Sequence, residues 1–139
     1  MNKKRLFLLL FIFIFLVGCA TTHDRLLDTD TSQVQLRNIQ SRVFDTTDKD
    51  KTLRTVIATL QDLGFIIDKA DFSLGSITAT KLNQYALRMT VTVQPRGETQ
   101  LLIRANAQYN ITPVVDPEPY QNFFTSLEKS MFLAAQEVD

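Results

Sequence analysis

The sequence predicts an α+β fold: a two-layer sandwich in which two helices cover one face of an antiparallel sheet of about five strands, in the order β-α-β-β-β-β-α. Three observations carry the prediction. Two segments, one in the middle and one at the end, repeat apolar residues at helical spacing. Between them, two strands alternate with strict period two on either side of "PRGE" (95–98). An earlier pair of strand-like runs flanks "SLGS" (73–76), a second hairpin signal.

Taken in order, the chain begins with a positive Asn2-Lys3-Lys4-Arg5 and then twelve unbroken apolar residues, Leu6 to Val17. A charged start, an apolar stretch of that length and a close on small residues read as a secretory signal over 1–18. A permanent transmembrane helix needs about 20 apolar residues and is the weaker reading. Removing 1–18 takes away three basic side chains and no acid, leaving twelve basic against fifteen acidic, a net charge near −3. That mild acidity excludes the basic footprint of a nucleic-acid binder. Cys19 is the chain's single cysteine, so no internal disulfide can form.

The tetrapeptide Leu16-Val17-Gly18-Cys19 resembles the lipobox of bacterial lipoproteins, which runs Leu, a small or apolar residue, Gly or Ala, then Cys. The resemblance implies that the Cys19 thiol receives diacylglycerol, that the chain is cut before Cys19, and that the new amine is acylated. The small Gly18 admits a peptidase, and the thiol is the nucleophile the lipid transfer needs. One acyl chain binds membranes only marginally, whereas two or more anchor stably at ~0.8 kcal/mol per buried CH₂. Ala20, rather than Asp, follows the cysteine; in Gram-negative lipoproteins this is similar to cargo sorted to the outer membrane.

Residues 19–38 follow as the lipidated cysteine and a tether, rich in Thr, Asp and Gln without an apolar period. About 19 flexible residues give a root-mean-square reach near 24 Å. His23 lies here beside Asp24, the chain's one histidine, and reads as solvated rather than metal-binding. The domain is expected over 39–139. Its first strand spans Ile39 to Asp45, with Val43 and Phe44. A helix follows from about Lys49, its stripe made by Leu53, Val56, Ile57, Leu60 and Leu63. Thr47 is the expected N-cap, with Asp48 and Asp50 in the first turn favouring the dipole. Gly64 ends the helix at a left-handed position, and Phe65 can fold back on Leu60.

Phe65 to Asp71 and Ile77 to Thr80 make the first hairpin. The next strand places Tyr85, Leu87, Met89, Val91 and Val93 on one face and Arg88, Thr90, Thr92 and Gln94 on the other. Its return strand sets Leu101, Ile103, Ala105, Ala107 and Tyr109 against Gln100, Arg104, Asn106, Gln108 and Asn110. This is a sheet with one buried and one wet face. Asp116-Pro117-Glu118 opens the last helix as N-cap, first helical residue and first-turn acid, and Tyr120, Phe123, Phe124, Leu127, Met131 and Ala134 form its stripe.

Catalytic groups are sparse. The domain holds no histidine and no thiol, and neither G-x-S-x-G nor a phosphate-binding glycine loop occurs. Asp45, Asp48, Asp50, Asp62, Asp68 and Asp71 suit caps, turns and solvated positions, and Asp48 and Asp50 lack the glycine and distal glutamate of a calcium loop. No metal or cofactor site is read. The aromatic cluster Tyr120, Phe123 and Phe124 reads as core. The candidate docking surface is the wet sheet face: Arg88, Thr90, Thr92, Arg104, Asn106 and Gln108 would form cross-strand rows of hydrogen-bonding groups. A solvated face with no partner is the plainer reading of the same residues.

The stretches "TLQDLGFIIDKADFSLGSITATK" (59–81), "LRMTVTVQPRGETQLLIRANAQYN" (87–110) and "DPEPYQNFFTSLEKSMFLAAQEV" (116–138) resemble a group of uncharacterised proteobacterial lipoproteins. The element order is also similar to the helix-grip domains of BamC, a lipoprotein of the outer-membrane assembly machine; this is a likeness of architecture, which does not carry function. The expectation is a non-catalytic, lipid-anchored, periplasm-facing module at the outer membrane, binding an envelope protein partner, with peptidoglycan or another glycan as a further candidate. The alternatives are a carrier of a small hydrophobic ligand between helices and sheet, and a small envelope hydrolase.

Overall fold

The structure, a computed structural model, describes residues 33–83 and 85–136. The chain divides into two compact units, Met1–Gln35 and Leu36–Asp139, and the architecture below is that of the second. A helical segment over 33–39 (α1) leads into β1 (Ser41–Phe44) and α2 (Lys49–Asp62). Four strands follow: β2 (Ile66–Asp71), β3 (Ser76–Asn83), β4 (Tyr85–Arg96) and β5 (Gln100–Tyr109). A two-residue β6 (Thr112–Pro113) and the long α3 (Glu118–Gln136) complete the fold. The sheet is antiparallel throughout, in the order β1-β5-β4-β3-β2, with β6 also paired to β5. The predicted α+β two-layer sandwich is the observed fold.

Helix α2 forms where its apolar stripe meets good end signals. Asp48 is the N-cap, its Oδ1 accepting from the Lys51 amide at 2.9 Å. The expected cap, Thr47, is thus displaced by one residue, because the carboxylate both reaches the free amide and favours the positive end of the helix dipole. At the other end Gly64 adopts φ +83°. Its amide donates to the Gln61 carbonyl at 2.9 Å, and the Phe65 amide donates to that of Leu60 at 2.9 Å. This pair of bonds is a Schellman stop, and it turns Phe65 back into the core as expected.

The core lies between the helices and the inner face of the sheet. Leu53, Val56 and Leu60 of α2 and Tyr120, Phe123, Phe124 and Leu127 of α3 pack over Ile77, Met89, Val91, Val93, Leu101 and Ile103, all buried. The helical aromatics are therefore core, as read from their spacing. Phe123 and Phe124 meet edge to face with ring centroids 5.1 Å apart.

Several boundaries differ from the sequence reading: the strand expected over Ile77–Thr80 spans Ser76–Asn83, and the last helix starts at Glu118 rather than Pro117. Residues 33–38, read as tether, are helical, because Leu36 and Ile39, three residues apart, bring an apolar side of α1 against the core. The first strand consequently starts at Ser41 rather than Ile39. Strand β6 was not foreseen; two exposed residues carry no period, and they become a strand only by pairing Gln108 with Pro113 and Tyr109 with Thr112. The signal segment 1–18, Cys19 and His23 lie outside the described residues.

Candidate functional site

Cross-strand register decides which side chains on the wet face meet. Between β4 and β5, Arg88 pairs with Gln108, Thr90 with Asn106 and Thr92 with Arg104. The six residues singled out from sequence therefore form three consecutive pairs, on the face opposite Met89, Val91, Ile103 and Ala105, which the helices bury. Arg88, Arg104 and Asn106 are exposed, and Thr90, Thr92 and Gln108 are half-buried. Arg88 and Arg104 stand at opposite corners of this array, about 14 Å apart at Cα for a rise near 3.4 Å per residue and a strand spacing near 4.8 Å.

The neighbouring strands extend the same chemistry. On β3, Thr80, Thr78 and Ser76 stand beside Arg88, Thr90 and Thr92. The Thr78 and Thr90 hydroxyls approach to 3.4 Å. The Thr80 hydroxyl donates to Asp68 Oδ2 at 2.6 Å. On the other side, Arg104 Nε donates to Ser41 Oγ at 3.3 Å. The result is a flat field of short hydroxyls and amides with a guanidinium at each end. It suits multiple weak polar contacts to another surface.

Four other carboxylates have structural duties. Asp48 caps α2, Asp45 Oδ1 accepts from Gln100 Nε2 at 2.6 Å, and Asp116 Oδ1 accepts from the Glu118 amide at 2.9 Å. Asp71 accepts from the Leu74 amide at 2.9 Å and the Ser73 hydroxyl at 2.8 Å. Those two bonds, the Leu74 amide foremost, hold its carboxyl below the ordinary aspartate range. Among the described residues no group of three or more His, Cys, Asp or Glu is placed to hold a metal ion.

Sequence reasoning missed a second feature, at the end of the sheet formed by the β3–β4 and β5–β6 turns. Tyr85 and Tyr109 share the parity of the buried positions, yet they are 69% and 42% exposed. The cause is length. Twelve strand residues run about 40 Å, whereas the fourteen residues of α2 cover only about 21 Å. The inner face thus continues past its helical cover. The two tyrosine rings pair edge to face there, centroids 6.4 Å apart. Behind them opens a cavity of about 280 Å³ lined by Leu63, Phe65, Lys81, Leu87, Asp116 and Glu118 among others. Lys81 Nζ sits 5.8 Å from the Phe65 ring centroid. The sequence signal was present in the strand-to-helix length mismatch.

No known protein-family model matches the chain, and no curated sequence matches it either.

Proposed function

We propose that this protein is a lipid-anchored lipoprotein of the bacterial envelope, held at the outer membrane through Cys19, whose periplasm-facing domain is a non-catalytic binding module of an envelope complex. The observation that supports the binding role is the stacked array of Arg88–Gln108, Thr90–Asn106 and Thr92–Arg104 on the sheet face opposite the helices. Confinement to one membrane surface raises the module's effective concentration for a partner on that surface, so modest polar contacts suffice. Carriage of a hydrophobic ligand between helices and sheet is less well supported, since that layer is occupied by buried Tyr120, Phe123, Phe124, Leu127 and Met89. A hydrolase is less well supported too, because the in-domain carboxylates described above serve caps, turns and strand pairs.

Two measurements test the reading. Intact mass of the purified protein is expected to show an acylated Cys19 as the first residue; an uncleaved, unmodified chain overturns the anchor. A photo-crosslinking residue placed at Thr90 or Asn106 in intact cells is expected to capture an envelope protein, and Arg88→Glu with Arg104→Glu to abolish that capture. Absence of any crosslink, or capture indifferent to both charge reversals, overturns the docking face.

A further inference from the structure

The overhanging sheet and the two helix ends enclose a wedge whose walls differ in chemistry from the core beside it. Lys81 pairs with Leu87 and Leu87 with Tyr109, so the three stand abreast on the inner face of β3, β4 and β5. Tyr85 lies two residues further out along β4. The stop of α2 lies over β3, where a Cβ on Gly64 would come within 3.6 Å of Lys81 Cε. The start of α3 lies at β5, where the Tyr120 hydroxyl accepts from the Ala107 amide at 3.2 Å. The cavity of about 280 Å³ therefore has an ammonium on its β3 side and Asp116, Glu118 and Asn122 on its β5 side, with Leu63, Phe65 and Leu87 as its apolar lining. Lys81 and Tyr109 are two strand spacings, about 10 Å, apart at Cα.

Those walls select among ligand classes. A hydrocarbon filling the cavity would strip water from an ammonium and two carboxylates without replacing their hydrogen bonds, which disfavours it. A strong anion meets Asp116 and Glu118, and a strong cation meets Lys81. Among the described residues no ion pair joins Lys81 to either carboxylate; its Nζ lies 5.8 Å from the Phe65 ring centroid instead. Donor and acceptors thus stand apart across the cavity rather than satisfying each other. The Glu118 amide takes only Oδ1 of Asp116.

A neutral molecule with one apolar face and a rim of groups that both donate and accept fits all of these walls, and a pyranose sugar has that build. Tyrosine suits its face, being rigid, flat and apolar in the ring and polar at the tip. The Tyr85 and Tyr109 rings, inclined at 71° and both exposed, can take such a face without unpacking the core. The volume falls at the low end of ligand sites, roughly 300–1,000 Å³, and admits one unit rather than a chain. The leucine and phenylalanine lining adds a place for one small apolar substituent, such as an acetyl methyl.

We infer that this end pocket is a saccharide site that binds a single neutral N-acetylated hexosamine unit. The sugar ring lies against Tyr85 and Tyr109, its hydroxyls meet Lys81, Asp116, Glu118 and Asn122, and its acetyl methyl enters the apolar lining. The site is on the helix side of the sheet, opposite the Arg88–Arg104 face, so it depends neither on a partner docking there nor on lipid at Cys19.

The test is saturation-transfer NMR on the full-length protein with N,N′-diacetylchitobiose, a disaccharide of two such units, as the probe. Transfer is expected to be strongest at an acetyl methyl, with a Kd on the order of 1 mM. Tyr85→Ala should weaken binding about tenfold and Asn122→Ala about threefold, both at exposed positions. Tyr85→Phe, which keeps the ring, should retain binding, and so should Glu98→Ala in the β4–β5 turn at the other end of the sheet. Cellobiose, which lacks the acetyl groups, should bind about fourfold more weakly. Unchanged circular dichroism of each variant keeps loss of binding distinct from loss of fold. Absence of transfer from the unaltered protein, or transfer that Tyr85→Ala leaves undiminished, overturns the site. Cellobiose binding as tightly as the chitobiose overturns the acetyl assignment, and choline or decanoate binding more tightly than either sugar overturns the saccharide class.

Discussion

The Tyr120 hydroxyl donates to the Val114 carbonyl across 2.7 Å, in the gap left between the start of β1 and the end of β6 along one edge of β5. The same oxygen accepts from the Ala107 amide at 3.2 Å and from Gln40 Nε2 at 3.1 Å. Its one proton and both lone pairs are thereby used. One helical side chain thus closes the edge that two short strands leave open between them. Replacing it by Tyr120→Phe strands a buried amide and a buried carbonyl. We expect a loss of about 2–3 kcal/mol in urea unfolding, with faster hydrogen exchange at the Ala107 amide. A change below about 0.5 kcal/mol would show that water substitutes for the phenol.

The glycines are expected to rank in their tolerance of alanine. Gly64 and Gly97 have φ of +83° and +63° but no close neighbour within 3.4 Å of an added Cβ, so each Gly→Ala change should cost only the left-handed penalty of about 1–2 kcal/mol. Gly75, at φ +68°, would place a Cβ 2.4 Å from the Val93 carbonyl oxygen and 2.6 Å from Lys49 Cε. Because the Val93 amide already donates to the Gly75 carbonyl at 2.8 Å, the strands cannot part cheaply. Gly75→Ala should cost about 3 kcal/mol or more, and thermal unfolding of the three variants gives the order directly.

Thr59 offers a gain in stability. It is buried on α2, and its hydroxyl has no hydrogen-bond partner. Thr59→Val keeps the shape and removes the unsatisfied group. Chemical denaturation should show stabilisation of about 1 kcal/mol; destabilisation would mean that the hydroxyl is satisfied in solution.

The turn after β2 should respond to acid. The Asp71 carboxyl is held below its ordinary 3.8 by the Leu74 amide and the Ser73 hydroxyl. A depressed carboxylate contributes stability that is complete above its unfolded value and is lost as pH falls through the lower folded value. The Leu74 amide resonance should therefore titrate below 3.8, and Asp71→Asn should flatten that titration. Titration at or above the ordinary value would contradict the bonding seen here.

Asp48→Ala should cost about 1 kcal/mol, the usual worth of an N-cap, whereas Thr47→Ala should change little. Urea midpoints of the two variants distinguish the capping residue from its neighbour.

Local chemistry was sufficient for most of this fold. Helical spacing of Leu53, Val56 and Leu60, period-two alternation through Met89, Val91 and Val93, and the positive-φ glycines marked the elements, because each signal is short-range and repeats. The same alternation sorted Arg88, Thr90, Thr92, Arg104, Asn106 and Gln108 onto one face, and the lipobox resemblance at Leu16–Cys19 rests on sequence alone. Tertiary structure decided the rest. Helix α1 exists because Leu36 and Ile39 find the distant core to pack on, and strand β6 because Thr112 and Pro113 pair back onto Tyr109 and Gln108. Tyr85 and Tyr109 are wet because the sheet outruns its helices. Tyr120 is a seam rather than only a core aromatic because three chain segments converge on its oxygen. Periodicity states which side of an element a residue occupies; only packing states what, if anything, lies opposite it.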